Sequence, residues 1–142
     1  MLNTSTSFTN YRLRKTWEFQ DIIKKRKKIF NNQFIIFYSK NQDQEKVIEN
    51  CRIGISIPQK IVKKAFLRNR YKRQVKSMLI DLMKNNKNFS SRFSKWDFVL
   101  LIKENFIKSK FEENKENLKK LLDFFNWREN KKKINFKKNI LK

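Results

Sequence analysis

Apolar residues recur along this 142-residue chain with two different periods, and the switches between them mark out six elements. Trp17, Phe19, Ile22, Ile23 and Phe30 follow a roughly helical spacing, which predicts a short helix over about Lys15 to Lys28 with Thr16 as its cap. Phe34-Ile35-Ile36-Phe37-Tyr38 is an aromatic and β-branched run, predicting a strand over Gln33 to Lys40. Side chains alternate across a strand, so Phe34 and Ile36 share one face while Ile35 and Phe37 share the other. The polar stretch Asn41 to Asn50 reads as a hairpin loop. It leads to a second strand over Cys51 to Ile57, with Ile53, Ile55 and Ile57 on one side. Gly54 within that strand marks a bulge or a close approach, and Pro58, which has no amide hydrogen, ends the pairing.

A long helix is predicted next, over about Ile61 to Lys84. On a helical wheel Leu67, Tyr71, Val75, Met78 and Leu82 fall in one narrow stripe, which should face the core. Asn85 to Lys95 is a polar connection, and Trp96 to Ile102 is the clearest buried strand in the chain. Phe111 to Phe125 returns to helical spacing, with Phe111, Leu118, Leu121, Leu122 and Phe125 on one side. Glu112, Glu113 and Glu116 load its first turns, where acids complement the helix dipole. The order α-β-β-α-β-α predicts an α+β fold, a two-layer α/β sandwich with helices packed on a small sheet. Residues 1–10 read as a flexible arm, 11–126 as one domain and 127–142 as a basic tail, disordered when free.

Charge changes the picture from fold to function. Thirty-six Lys and Arg oppose 13 Asp and Glu, leaving +23, a self-repulsion that calls for a polyanionic partner. The absence of histidine removes Ser–His and Cys–His nucleophiles, imidazole bases and His-ligated zinc together. The single cysteine, Cys51, allows no internal disulfide and reads as a buried, inert thiol in a strand, which suits a reducing cytoplasm. No apolar run approaches the ~20 residues of a membrane span. Met1 to Thr9 lacks the apolar block of a secretory signal.

The cations are concentrated. Lys60, Lys63, Lys64, Arg68, Arg70, Lys72, Arg73 and Lys76 occupy one segment without a single acid. A helix so built has no i,i+4 ion pairs to relieve repulsion, and a phosphate backbone would supply the missing charge. The order of residues is more specific than the charge. Arg52-Ile53-Gly54-Ile55-Ser56, then Lys60, then Arg68-Asn69-Arg70 followed by Lys72-Arg73, resembles the signature of the protein-subunit family of bacterial ribonuclease P. Leu13-Arg14-Lys15, Glu18-Phe19-Gln20, Asn31, the strand Phe34 to Phe37, Trp96-Asp97-Phe98-Val99 and Phe111-Glu112-Glu113 are similar in kind and in order. The resemblance spans about residues 11 to 125.

That resemblance implies a division of labour. The RNA subunit of the holoenzyme holds the active site and the Mg2+ ions, so no catalytic or metal-binding residue is expected in this chain. Lys60, Lys63, Lys64, Arg68, Asn69, Arg70, Lys72, Arg73 and Lys76 would lie against the catalytic RNA. A cleft formed by the first helix and the sheet would take the single-stranded 5′ leader of precursor tRNA at Phe19, Ile23 and Phe37, with Arg12, Arg14 and Lys15 beside it. Aromatic rings stack on unpaired bases while cations hold the backbone, which agrees with those residue types. For Phe19 and Phe37 a plain core role stays open. The family also implies a left-handed βαβ crossover, a monomeric protein with one copy per RNA, and work in the cytoplasm. Three positions depart from its pattern: Ile23 replaces an aromatic, Arg26 stands where a glycine often ends the first helix, and Pro58-Gln59 replaces a small or basic pair. Two other readings compete. A generic RNA-binding or ribosome-associated protein fits the charge equally well, and a nuclease with its own active site would have to use Asp97, Glu112 or Glu116.

Overall fold

The strand that the sequence marks as most apolar takes an interior place in the sheet. In the computed structural model, which describes residues 16–40, 52–85 and 96–141 (side chains from 19 to 132 within these), four strands and four helices follow in the order α1 (Thr16–Lys24), β1 (Lys28–Phe30), β2 (Phe34–Lys40), β3 (Arg52–Ser56), α2 (Ala65–Asn85), β4 (Trp96–Ile102), α3 (Glu104–Lys108) and α4 (Phe111–Leu141). The sheet order is β1-β2-β4-β3. β4 runs antiparallel to β2, from Phe34↔Ile102 to Lys40↔Trp96, and parallel to β3, from Arg52↔Asp97 to Ser56↔Leu101. The sheet is thus mixed, and α2 joins its parallel pair.

This order corrects the expected hairpin. β2 and β3 are consecutive in sequence but not neighbours, because β4 lies between them. The reason is burial: a strand apolar at consecutive positions needs cover on both faces, which helices supply most fully over the middle of the sheet. Phe98, Leu100 and Ile102 enter one core together with Phe34, Ile36, Tyr38, Ile53 and Ile55. Helices α2, α3 and α4 close that core through Val75, Met78, Leu79, Phe106, Leu118, Leu122 and Phe125. On the other face Val99 and Leu101 meet Phe19, Ile22 and Ile23 of α1.

The predicted stripe of α2 faces this core, with Leu67, Tyr71 and Leu82 at its margin and Leu79 and Met83 completing its buried centre. The helix starts at Ala65 rather than Ile61. The carbonyl of Pro58 accepts the amides of Ile61 and Val62 at 3.1 and 3.0 Å, closing a turn that delays the helix until the carbonyl of Lys64 takes over. α1 is shorter than predicted, and Phe30 belongs to β1 instead, with its ring 63% exposed. Asn31 turns β1 into β2: its Oδ1 accepts the amides of Gln33 and Phe34, and its Nδ2 donates to the carbonyl of Asn117 on α4. The backbone of α4 continues to Leu141, through the segment expected to form a disordered tail. The arm, Arg12, Arg14, Lys15, the loop Asn41–Asn50, Cys51 and the connection 86–95 lie outside the described residues.

Arg26 ends α1 with φ 57, the left-handed conformation that favours glycine, and its amide donates to the carbonyl of Ile23 at 3.0 Å. A side chain there costs about 1–2 kcal/mol, against which glycine loses more backbone freedom on folding. Arg26→Gly should therefore raise stability by about 0.5–1 kcal/mol in urea unfolding. A variant less stable than the parent would contradict this account of the helix end.

Candidate nucleic-acid interface

Burying one stripe of α2 forces the rest of that helix outward, and the rest is cationic. Lys60, Lys63, Lys64, Asn69, Arg70 and Arg73 are exposed, and Arg68, Lys72 and Lys76 are half-buried. No acid stands in the first turn of α2. The positive end of the helix dipole and the lysines before it therefore add rather than cancel, which makes this end attractive to anions.

The cations are not equivalent. Nη1 of Arg68 donates to the carbonyls of Val62 and Lys63 at 3.0 and 2.7 Å. That arginine pins the turn presenting Lys63 and Lys64, whereas Arg70 and Arg73 stand out in solvent. Phe66 shares their side of the helix and is 65% exposed, with Nζ of Lys64 5.9 Å from its ring centroid. Sequence reasoning missed Phe66. The signal was its place on the wheel, opposite Val75 and among the arginines, where an apolar side chain has no core to join.

Of the second predicted group, Phe19, Ile23 and Phe37 lie among the described residues and share one cluster, while Arg12, Arg14 and Lys15 lie outside them. Phe19 and Ile23 from α1 and Phe37 from β2 are half-buried and pack on Ile22 and Val99. They are the partly covered wall of a small second core, the packing that the plain core reading of Phe19 and Phe37 expects. Gly54 makes this possible. A Cβ at position 54 would stand 2.4 Å from Cζ of Phe19 and 2.5 Å from Cε1, so the ring lies directly on the backbone of β3. Cations border the cleft at positions the sequence did not single out. Nζ of Lys28 is 6.0 Å from the Phe37 ring centroid, and Nζ of Lys25 donates to Oγ of Ser39 at 3.0 Å while pairing with Asp21 at 3.5 Å.

The acids that a protein-based active site would have to use are placed separately. Asp97 accepts a two-pronged contact from Arg52, Nε to Oδ1 at 3.0 Å and Nη2 to Oδ2 at 2.8 Å, which ties the parallel strands together at their start. Glu112 and Glu116 are exposed on α4. Among the described residues no three Asp, Glu, Cys or His side chains are grouped to hold a metal ion. No described helix is long and apolar enough to cross a membrane.

These features define a small α+β protein that displays one cationic helix and one half-buried aromatic cluster on opposite faces of a four-stranded sheet. Residues 9–126 match the family described as Ribonuclease P. The chain is 31% identical over 115 residues to the ribonuclease P protein component of Mycoplasmopsis pulmonis, covering 81% of this chain and 91% of that one. To its counterpart in Mesomycoplasma hyopneumoniae it is 37% identical over 109 residues, 77% of this chain and 87% of the other. The fold superimposes on the Staphylococcus aureus RNase P protein with a TM-score of 0.62 at 26% identity, covering 80% of this chain and 94% of that structure. The Thermotoga maritima RNase P protein gives 0.58 at 29% identity, covering 78% and 94%. The chain belongs to the family of bacterial ribonuclease P protein components.

The cleft geometry predicts a coupling between positions 19 and 54. Gly54→Ala should destabilise the protein by about 1–3 kcal/mol through overpacking. Adding Phe19→Ala should recover part of that loss, giving a coupling of about 1 kcal/mol in a double-mutant cycle of urea unfolding. Strict additivity would show that the ring does not rest on Gly54.

Proposed function

We propose that this chain acts in the ribonuclease P holoenzyme by binding the catalytic RNA along α2 and the 5′ leader of precursor tRNA in the cleft between α1 and the sheet. The observation that carries the reading is the outer face of α2, where Arg70 and Arg73 project from a segment without acids while the opposite face is fully used by the core. Nothing on the helix neutralises these cations, and a phosphate backbone does so with the bidentate geometry that arginine favours. The cleft supports the second half of the reading. Half-buried Phe19 and Phe37 offer π-faces to unpaired bases irrespective of sequence, and Lys25 and Lys28 stand where a backbone would pass. Arg12, Arg14 and Lys15 would extend that path.

In this reading the protein positions and the RNA catalyses. Magnesium ions held by the RNA subunit supply the activated water for phosphodiester hydrolysis. The products are a tRNA with a mature 5′-phosphate and a leader with a 3′-hydroxyl. This chain holds its substrate by the leader, an unpaired strand that mature tRNA lacks. It works as a monomer, one per RNA subunit, in the cytoplasm.

At low magnesium, purified protein mixed with a bacterial ribonuclease P RNA and labelled precursor tRNA should give cleavage at the mature 5′ end, while protein alone gives none. Tight RNA binding without any effect on cleavage would favour a generic RNA-binding protein, and cleavage by protein alone would move catalysis into this chain. Arg70→Ala with Arg73→Ala should weaken binding to the catalytic RNA and flatten its salt dependence by about one unit of slope per arginine. Arg68→Ala is a poorer probe because it also releases the turn at Val62 and Lys63.

A further inference from the structure

Helix α4 carries a second exposed stripe that the cleft and the basic helix do not use. Leu118, Leu121, Leu122 and Phe125 face the core. On the opposite side Lys120, Phe124, Trp127 and Lys131 follow at spacings of four, three and four residues, which aligns them along one edge of a helix. Phe124 is 45% exposed and Trp127 57%. Their ring centroids are 6.0 Å apart and their planes are tilted by only 31°, so the two rings form one broad apolar surface.

Cations frame that surface. Nζ of Lys131 is 5.0 Å from the Trp127 centroid, and the guanidinium carbon of Arg128 is 5.8 Å from that of Phe124. Arg128 is itself anchored, donating a hydrogen bond to the hydroxyl of Tyr38 on β2. Glu129 is the only acid after Asp123, and Lys132 pairs with it at 3.3 Å. Residues 133–142 add four more lysines and no acid. The family match ends at residue 126, so Trp127, Arg128 and Lys131 lie beyond the segment that the family model matches.

We propose that Phe124 and Trp127 form a stacking platform for unpaired nucleotides of the catalytic RNA. The inference rests on the role proposed for the holoenzyme and adds to it a contact outside both the basic helix and the leader cleft. Exposed rings bordered by cations match the way single-stranded nucleic acids are held: bases stack on the π-faces and phosphates meet the charges. A second copy of this chain is a poor occupant, because each copy would bring its own lysines to the contact. The catalytic RNA is favoured over the leader by position. α4 and α2 pack on the same face of the sheet, whereas Phe19, Ile23 and Phe37 lie on the other.

The test uses the full chain with Phe124→Ala and Trp127→Ala together, checked by circular dichroism and thermal melting; both rings are exposed, so the fold should survive. Binding is measured at elevated salt, where general electrostatic attraction is screened. The probes are a bacterial ribonuclease P RNA, an oligouridylate too uniform to fold, and leader-bearing and mature tRNA. The expected result is affinity lower by about tenfold or more for the catalytic RNA and the oligouridylate. The salt slope should be unchanged, because no charge is removed, and so should the preference for leader-bearing over mature tRNA. Trp127→Phe should retain most of the affinity, since a ring remains. Unchanged affinity for the catalytic RNA overturns the platform. A change only in leader preference moves the stacking surface to precursor tRNA, and loss of self-association instead of RNA binding assigns the patch to protein contact; either result overturns the proposed partner. A parent protein that binds the oligouridylate through Trp127 but supports no cleavage would overturn the holoenzyme role and this partner, while showing separately that the rings stack on RNA.

Discussion

The rest of the molecule depends on burying β4 on both faces. Phe98, Leu100 and Ile102 need one apolar cover and Val99 and Leu101 another, and no single layer provides both. The first cover is the group α2, α3 and α4, and the second is α1. β2 and β3 flank the strand and satisfy its backbone, antiparallel on one side and parallel on the other. Arg52 and Asp97 fix the register of the parallel pair with a partly buried, two-pronged contact at its first position. Such a pair costs desolvation and gains specificity through geometry, which suits a place where a slip by one residue would turn β3 inside out.

The same packing sorts the charges. With one face of α2 and one of α4 committed to the core, the remaining positions face solvent; α4 mixes acids with lysines there, whereas the first half of α2 carries cations without acids. Asp81 and Lys115 join the two helices at 3.3 Å across their polar margins. The N-terminal half of α2 has no acids of its own to do the same. Like charges in that half repel one another, and an RNA partner would relieve that repulsion. Affinity would then draw on repulsion already present in the fold as well as on new contacts.

Much of this was legible in the sequence because it rests on period and order. The strand Trp96–Ile102, the core stripe of α2 and the alternation of Phe34 and Ile36 against Phe37 all follow from spacing, and the structure places them as read. The motif order from Arg52 to Arg73 led to the family before any coordinates. What was missed is short or non-local. β1 has three residues and α3 five, too few for a period to show. α3 exists because Phe106 fits between Phe34 and Tyr71, at ring separations of 5.4 and 5.8 Å, and because buried Asn114 donates to its carbonyl. None of these partners is near it in sequence except Asn114. The strand order was misread because a polar stretch between two strands looks the same whether or not they pair. The inward use of Arg68 was hidden because a motif arginine looks alike in sequence whatever its guanidinium holds.

The seat of Phe19 on Gly54 has a consequence for how the chain assembles. The ring of Phe19 covers the backbone of β3 at Gly54, and residues 37, 99 and 101 pack in the same small core. No local stretch of chain contains these parts, so α1 has nowhere to dock until β2, β4 and β3 have joined. A partly folded chain would carry its cations from the start but would order this second core only when the sheet is complete. Charge would therefore be in place before shape, and whatever depends on the seating of Phe19 would be the last property acquired.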